Sequence, residues 1–239
     1  MIPLTHLTHQ EIGVTEPGEF VFMRPFGPAV GHTTLPPELI EAFRRDMGNG
    51  AVPSPSHNPA SDVIRSERPI SQNILQEFLP FFTEAAINYV GQYASRHCLP
   101  VREDIWPEAR IHAAWYVRQK SGDFAPFHPH MQDDSFPELS AVGYLQTPTG
   151  LVDYYRRGSR ARVGRLADHH GCIEFTHGKQ TYLTRDSCRV QPKAGDFFIF
   201  PSDLVYMLYP FSHREERHSF TLNINLDHDQ KDNGDGDKT

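Results

Sequence analysis

Two histidines two positions apart, His128 and His130, are the first side chains in this sequence that could bind a metal ion. Residues i and i+2 of a β-strand point to the same face, about 6 to 7 Å apart at their Cα atoms. Two imidazoles placed in this way can ligate one metal, each at about 2.1 Å. The chain has 14 histidines, so this spacing also arises by chance, and two loop histidines beside Pro129 are the alternative.

Four polar residues alternate along a later segment: Arg217, Ser219, Thr221 and Asn223. The residues between and after them are mostly apolar, which predicts a strand with one polar and one apolar face. An arginine that points into a barrel needs an anion, because a buried unpaired charge is very costly. A guanidinium beside a hydroxyl group matches a carboxylate well. The alternatives are a surface position or an internal salt bridge to Glu215, Glu216 or Asp196.

Tyr144 is a further candidate, because it shares one face of a predicted strand with Ser140 and Val142. Its hydroxyl can donate to a bound co-substrate, and a core tyrosine is the equal alternative. Asp133-Asp134 and Asp168-His169-His170 could also contribute to a metal site, although surface positions explain them as well. The sequence contains no Walker loop, no GxGxxG, no GxSxG and no CxxC pattern.

Two short strands and two helices are predicted in the first part of the chain, and the remaining strands follow them. Residues 71–97 predict a helix that Ser71 caps and Pro80 kinks, with an aromatic stripe that packs on a sheet. A shorter helix is predicted at about 36–47, and residues 152–170 form a polar insertion that is a candidate lid. Short strands separated by turns predict an α+β domain with a closed or sandwiched barrel. They are Glu19–Met23, Ala29–Thr34, Arg110–Gln119, Leu139–Gln146, Cys172–Thr176, Asp196–Phe200, Leu204–Tyr209 and Arg217–Leu226.

Composition narrows the class of protein. The net charge of -7 in 239 residues does not suggest a basic surface for nucleic acid. No run of about 18 apolar residues predicts a membrane span. The three cysteines form no CxxC pair, which argues against a disulfide framework and favours a reducing, cytoplasmic location.

Several motifs occur in a specific order and together resemble the prolyl-hydroxylase-like branch of the Fe(II)/2-oxoglutarate oxygenases. More narrowly, they are similar to oxygenases found in phage and bacterial genomes, and the similarity runs from about Glu19 to Leu226. The motifs are an FGP turn at 26–28, Trp115, a GDFxPxHxH segment at 122–130, and strand patterns at 139–145, 171–175, 195–201 and 216–219.

The resemblance implies a fold and a set of roles. The fold is the double-stranded β-helix, a jelly-roll or cupin-like barrel, which the N-terminal helices buttress. His128 becomes the first iron ligand, and His130 takes the second position, where more distant relatives carry aspartate. Arg217 binds the distal carboxylate of 2-oxoglutarate, and Ser219 assists it.

The third metal position departs from the family pattern. The family has a histidine in a motif like FPxxLxH, and this chain has Tyr206 there. Tyr206 can ligate iron through a phenolate, which requires a metal to lower its pKa from about 10. Alternatively, His213 or His218 supplies a third nitrogen. Otherwise the third ligand is absent and the site is degenerate.

We therefore expect a single oxygenase-like domain over residues 1–226, with a helical buttress at about 36–98 and a barrel at about 108–226. The acidic tail at 227–239 is expected to be disordered. The expected enzyme uses Fe(II) and 2-oxoglutarate to oxidise a C–H bond of a small molecule, an amino acid or a peptide side chain. The rival hypothesis is a barrel that binds a carboxylate or a partner protein without iron chemistry. The sequence does not specify the substrate or the oligomeric state.

Overall fold

The computed structural model describes residues 21–23, 28–48, 67–96, 108–123, 125–128, 138–149, 151, 170–179, 181–182 and 186–227. Within these ranges the N-terminal part contains β1 (Val21–Met23), β2 (Val30–Thr34), α1 (Pro37–Gly48), β3 (Glu67–Pro69) and α2 (Gln72–Arg96). The barrel strands follow: β4 (Glu108–Gln119), β5 (Ala125–His128), β6 (Leu139–Gln146), β7 (Ile173–Thr176), β8 (Ser187–Val190), β9 (Asp196–Pro201), β10 (Val205–Leu208) and β11 (Arg217–Asp227).

Two antiparallel sheets face each other. The larger sheet has the order β1-β2-β9-β6-β11-β4-β3, and the smaller has the order β5-β10-β7-β8. Apolar side chains from both sheets form one interior cluster, in which the Phe175 ring of the small sheet lies 5.0 Å from the Phe200 ring of the large sheet. This arrangement is an α+β jelly roll, as the sequence predicts.

Strand β11 shows how the sequence pattern produces both sides of the large sheet. Its polar residues Arg217, Ser219, Thr221 and Asn223 are all buried, and they face the small sheet. Its apolar residues Phe220, Leu222 and Ile224 are fully buried on the opposite face, where they pack in a second cluster with the helices. The predicted alternation is therefore confirmed, and both faces of this strand are covered.

Helix α2 forms the outer layer together with α1. Phe82, Ala85 and Tyr89 of α2 are buried in the second cluster, and Phe78 and Phe81 pack partly buried against it. The predicted aromatic stripe is thus a core stripe, and the helix continues through Pro80. Ser71 precedes the helix and its carbonyl accepts from the amide of Leu75, while its hydroxyl donates to Oδ1 of Asp46.

Three strands differ from the sequence prediction. β3 and β8 were not predicted; each lies at an edge of its sheet and is only three or four residues long. The sequence left the histidine pair open between a strand and a loop; His128 lies in β5, which ends at that residue, and His130 lies outside the described residues. Most of the insertion at 152–170 and the tail from residue 228 onward also lie outside them. None of the described helices is long and apolar enough to cross a membrane.

Candidate functional site

Arg217 is fully buried inside the barrel at the start of β11. Its Nε donates to Oε1 of Gln119 at 2.9 Å, its Nη1 to the carbonyl of Gly171 at 2.7 Å, and its Nη2 to the carbonyl of Tyr209 at 3.4 Å. The guanidinium carbon lies 5.3 Å from the centre of the Phe211 ring. All of these partners are neutral, and burial lowers the pKa of Arg217 because the charged form loses its hydration.

The acidic residues that the sequence offered as partners of Arg217 bind elsewhere. Glu215 accepts from the amide of Thr149 at 2.7 Å, and Glu216 accepts from Nη2 of Arg118 at 2.7 Å. Asp196 lies 3.1 Å from Nε2 of His32. The alternatives of an internal salt bridge to these residues and of a surface position are therefore wrong. Within the described ranges, Arg217 forms no ion pair with a carboxylate.

Tyr144 lies next to this arginine on the neighbouring strand. Its Cα is paired with that of Ser219 between β6 and β11, and its ring meets Phe198 edge-on at 6.1 Å. The side chain is fully buried, and its hydroxyl has no hydrogen-bond partner among the described residues. Burial raises the pKa of Tyr144 and outweighs the opposite effect of the nearby Arg217 charge, so the hydroxyl stays protonated and remains a donor.

Further along the polar face, Ser140, Ser202 and Asn223 form hydrogen bonds with one another. Ser140 Oγ lies 2.9 Å from Ser202 Oγ and donates to Oδ1 of Asn223 at 3.3 Å. Two buried donors without a partner among the described residues, the Tyr144 hydroxyl and Gln119 Nε2, are concentrated beside Arg217, whereas the unpartnered atom near the other end of β11 is an acceptor, Asn225 Oδ1. A buried donor without a partner costs folding free energy, and such a concentration is typical of a ligand site.

Tyr206 lies in β10, one of the two inner strands of the small sheet. Its Cα is paired with that of His128 in β5 and with that of Phe175 in β7. Paired residues of antiparallel strands have Cα atoms about 4.5 to 5.5 Å apart, so the sequence-predicted first ligand and third metal position are neighbours in the sheet. This juxtaposition joins positions that are far apart in the sequence.

The Tyr206 side chain is buried and points into the barrel. Its ring lies 5.3 Å from that of Phe200. Burial raises its pKa, as do Tyr144 and Glu67, whereas a hydrogen bond with Thr221 of β11 lowers it. In the protein without metal, Tyr206 is therefore a neutral phenol that Thr221 holds in place.

The two histidines offered as substitutes for Tyr206 have other contacts. His218 lies on the face of β11 opposite to Arg217, and its Nε2 is 3.0 Å from Oε2 of Glu216. The alternative prediction that His218 is the third metal ligand is therefore wrong. His213 lies in the loop before β11, where its Nδ1 accepts from the amide of Glu215 at 3.1 Å.

The remaining predicted metal residues lie outside the described side chains. The structure places the backbone of His128 only, and His130, Asp133-Asp134 and Asp168-His169 are not described. Among the described side chains, no group of three His, Cys, Asp or Glu residues could hold a metal ion. Iron ligation by His128, His130 and Tyr206 accordingly stays a prediction.

Sequence reasoning did not identify Gln119 or Gly171 as contacts of Arg217. Gln119 is fully buried although it is polar, and it occupies the same face of β4 as Val117. A glutamine at an inward position of a predicted strand is a signal that could have indicated it. The Gly171 contact depends on a carbonyl group, which the sequence does not mark.

Comparison with known proteins gives a family match and several structural neighbours. Residues 113–223 match the model of a family described as "Putative 2OG-Fe(II) oxygenase". A prolyl hydroxylase from Trichoplax adhaerens, solved with a hypoxia inducible factor oxygen degradation domain peptide fragment, is 11% identical, with 87% of this chain and 83% of that chain covered and a TM-score of 0.50. No curated protein matches the sequence.

Two further structures are similar at lower scores. A prolyl-4-hydroxylase from Pseudomonas putida is 19% identical, with 83% of this chain and 92% of that chain covered and a TM-score of 0.47. The viral collagen prolyl hydroxylase of Paramecium Bursaria Chlorella virus-1 is 13% identical, with coverages of 83% and 96% and a TM-score of 0.43. The likeness to the Trichoplax adhaerens structure supports the predicted double-stranded β-helix fold, and the family match agrees with the predicted resemblance.

Proposed function

We propose that the protein is an Fe(II)- and 2-oxoglutarate-dependent oxygenase, because residues 113–223 match the model of a family described as "Putative 2OG-Fe(II) oxygenase". Its reaction is the oxidation of a C–H bond in a small molecule, an amino acid or a peptide side chain. The observation that carries the proposal is the fully buried Arg217, whose described partners are all neutral, beside a buried hydroxyl with an unused hydrogen.

These residues fit the distal carboxylate of 2-oxoglutarate. A carboxylate only accepts hydrogen bonds, whereas Arg217 and the Tyr144 hydroxyl can both donate them. Ser219 is buried and paired with Tyr144, so a second hydroxyl lies at the same end of β11. The carboxylate would neutralise the guanidinium, and a charge-assisted hydrogen bond is about twice as strong as a neutral one.

The residues available for iron are His128, His130 and Tyr206. When bound, Fe(II) supplies open coordination positions for 2-oxoglutarate and for O2, and with them the oxidative chemistry of this family. The pairing of His128 with Tyr206 supports a metal position on the inner side of the small sheet. We propose that Tyr206 occupies the third position, and that ligation would replace its hydroxyl proton by the metal.

The protein's own contribution is to orient these groups and exclude water. Thr221 holds the Tyr206 hydroxyl, and the rings of Phe175 and Phe200 pack against the Tyr206 ring at 6.3 and 5.3 Å. Gln119 and two main-chain carbonyls fix the guanidinium of Arg217. A dry, rigid interior strengthens the electrostatic attraction between the guanidinium and a bound carboxylate.

The main test is purification under anaerobic conditions with Fe(II), followed by measurement of bound iron and of succinate formed from 2-oxoglutarate after O2 is admitted. We expect one iron per chain and succinate formation that candidate substrates accelerate. Protein that binds neither iron nor 2-oxoglutarate, and forms no succinate with any candidate, would contradict the proposal.

A carboxylate-binding barrel without iron chemistry is the second candidate. The observation in its favour is Tyr206 itself, which is a buried phenol with a raised pKa where the family pattern has histidine. The two candidates predict different effects of substitutions at this position. If Tyr206 ligates iron, Tyr206→Phe weakens Fe(II) binding by about tenfold or more, since even the loss of an outer partner of a metal site has an effect of that size.

Tyr206→His is the companion variant, because it restores the histidine of the family pattern. An oxygenase with an effective tyrosine ligand should bind iron similarly in the wild type and in this variant. If only the histidine variant binds iron, while the wild type and Tyr206→Phe bind none, the natural site lacks its third ligand and the carboxylate-binding barrel is correct.

We also propose that the described helices and strands form one domain. The cluster that includes Phe43, Phe82 and Phe220 joins α1, α2 and the large sheet in a single core. A cytoplasmic location and the choice among substrate classes stay predictions from the sequence.

A further inference from the structure

Gln119 contacts Arg217 from the neighbouring strand. It is the last residue of β4, its Cα is paired with that of Arg217, and its side chain is fully buried. Its Oε1 accepts from Nε of Arg217 at 2.9 Å. Its Nε2 is buried and has no hydrogen-bond partner within the part of the chain that the structure describes. Two amide hydrogens are therefore unused beside a buried cation.

The chemistry of the contact fixes which end of the amide faces the arginine. A guanidinium has five N–H donors and no acceptor, so only the amide oxygen can bind it. Rotation of the amide by a half turn would place N–H against N–H. Nε2 is therefore the end that is left without a partner, and the cost of burying it unpaired is removed when a ligand accepts from it.

We propose that Gln119 is a specificity residue of the anion site, with its oxygen positioning the guanidinium and its nitrogen donating to the carboxylate that Arg217 binds. This inference rests on the proposed function, in which that carboxylate is the distal group of 2-oxoglutarate, and it extends that function by naming the group that selects the co-substrate. In this arrangement Arg217, the Tyr144 hydroxyl and Gln119 Nε2 all donate to the one carboxylate. They favour a carboxylate over a carboxamide or an alkyl group.

A purely structural glutamine would need only its oxygen. A glutamate in its place would accept from Arg217 more strongly and would neutralise it. The neutral amide holds the guanidinium and leaves its charge available to a ligand. A glutamate at position 119 should therefore weaken carboxylate binding to Arg217 without lowering the folding stability.

The test compares two ligands in wild-type protein and variants, loaded with Fe(II) and kept anaerobic. The ligands are 2-oxoglutarate and 2-oxobutyrate, which lacks the distal carboxylate, and binding is measured by calorimetry. Gln119→Met removes the donor and keeps the size of the side chain. Gln146→Met is the matched control, because Gln146 ends β6, the neighbour of β11 on its other side, and its Nε2 donates to the carbonyl of Glu216 at 3.1 Å.

We expect Gln119→Met to weaken 2-oxoglutarate binding by about tenfold or more, as for the loss of a hydrogen bond to a charged group. Binding of 2-oxobutyrate should change by less than about twofold, because loss of a neutral contact remote from the ligand has little effect. Gln146→Met should change neither affinity. General structural damage would weaken the binding of both ligands equally. The ratio of the two affinities therefore reports on contacts with the distal carboxylate.

Gln119→Glu keeps the inference testable if the methionine variant does not fold. We expect it to raise the unfolding temperature of the ligand-free protein and to weaken 2-oxoglutarate binding by roughly a hundredfold, since Arg217 is then paired internally. Wild-type protein that binds 2-oxoglutarate, together with Gln119 variants that bind it equally well, would overturn this inference alone. Wild-type protein that binds no 2-oxoglutarate would instead contradict the proposed function.

Discussion

The residue that most constrains the chemistry is Arg217. It is fully buried, its four described neighbours are neutral, and nearby acidic side chains are engaged elsewhere. A protein that buries a cation in this way gives up folding stability unless an anion binds there. Stability and ligand binding should therefore change in opposite directions when the charge is removed.

Replacement of Arg217 by Met tests this opposition. Loss of the guanidinium should weaken 2-oxoglutarate binding by about a hundredfold, the combined effect of more than one charge-assisted hydrogen bond. The free energy of unfolding of the ligand-free variant should be equal to or higher than that of the wild type, because a buried charge is replaced by an apolar side chain. Calorimetry with 2-oxoglutarate and urea unfolding measure the two effects.

Arg118→Met is the control for that substitution. Arg118 is the β4 neighbour of Gln119, but its side chain is 49% exposed and pairs with Glu216 on the other face of the sheet. Exposed ion pairs contribute little, so both 2-oxoglutarate affinity and stability should stay close to wild type. An Arg217→Met variant that bound 2-oxoglutarate as tightly as the wild type would refute the assignment of the carboxylate to this residue.

At the scale of elements, strands with a clear alternation could be predicted from the sequence, and short edge strands could not. β11 and β6 were predicted to within one residue, because their side chains alternate between two buried faces. β3 has the sequence Glu-Arg-Pro and forms only because β4 lies beside it. Its pairing depends on the tertiary structure, which overrides local preference at such positions.

The same distinction applies to the candidate site. The inward orientation of the Arg217 and Ser219 side chains follows from the two-residue period of one strand. The contact between Arg217 and Gln119 joins residues 98 positions apart. It depends on the register of β4 against β11, which no local pattern contains.

Gly143 of β6 allows the Phe220 ring to pack closely on the face of the large sheet that the helices cover. A Cβ atom at this position would lie 2.3 Å from Cε1 and Cζ of Phe220. The Phe220 ring is fully buried and packs against the Phe43 ring at 4.8 Å and the Phe197 ring at 6.1 Å. The ring has little room to move, so the absence of a side chain at residue 143 is a packing requirement.

We expect Gly143→Ala to lower the free energy of unfolding by about 1 to 3 kcal/mol, the usual effect of adding a methyl group to a close-packed core. Urea unfolding measures it. Gly91→Ala in α2 is the control, because a Cβ there meets nothing within 4 Å, and alanine favours a helix. If both variants were equally stable, Phe220 would not fill the space over Gly143.

At the scale of the whole molecule, hydrogen bonds around the buried Glu174 link the small sheet to Tyr209, whose main chain contacts Arg217. Glu174 of β7 is paired with Arg189 of β8, and its carboxylate lies 2.8 Å from Nη2 of that arginine. The Tyr209 hydroxyl also donates to Glu174, and the carbonyl of Tyr209 accepts from Arg217. The position of the Tyr209 main chain at the anion site is thereby coupled to the charge of Glu174.

This network predicts how stability depends on pH. Burial alone would raise the pKa of Glu174, but the hydrogen bonds from Arg189 and Tyr209 outweigh it and lower the pKa below its ordinary value. A carboxyl group whose pKa is lower in the folded state contributes stability above its unfolded pKa of about 4.3 and loses it as the pH falls through the folded value. The wild type should therefore lose stability below about pH 4 more steeply than Glu174→Gln, which has no carboxyl group to protonate.

At neutral pH, the ion pair between Glu174 and Arg189 should make the wild type more stable than Glu174→Gln. Glu174→Gln leaves Arg189 without its carboxylate and should be less stable than the wild type by about 1 to 3 kcal/mol, the range for a buried hydrogen bond to a charged group. Urea unfolding at a series of pH values measures both effects. The two stability curves should converge as the pH falls below about 4, because a protonated Glu174 resembles the amide in charge. Parallel curves across this range would show that Glu174 titrates in the folded protein as it does in the unfolded chain, and the link from this network to the Arg217 site would then have no electrostatic basis.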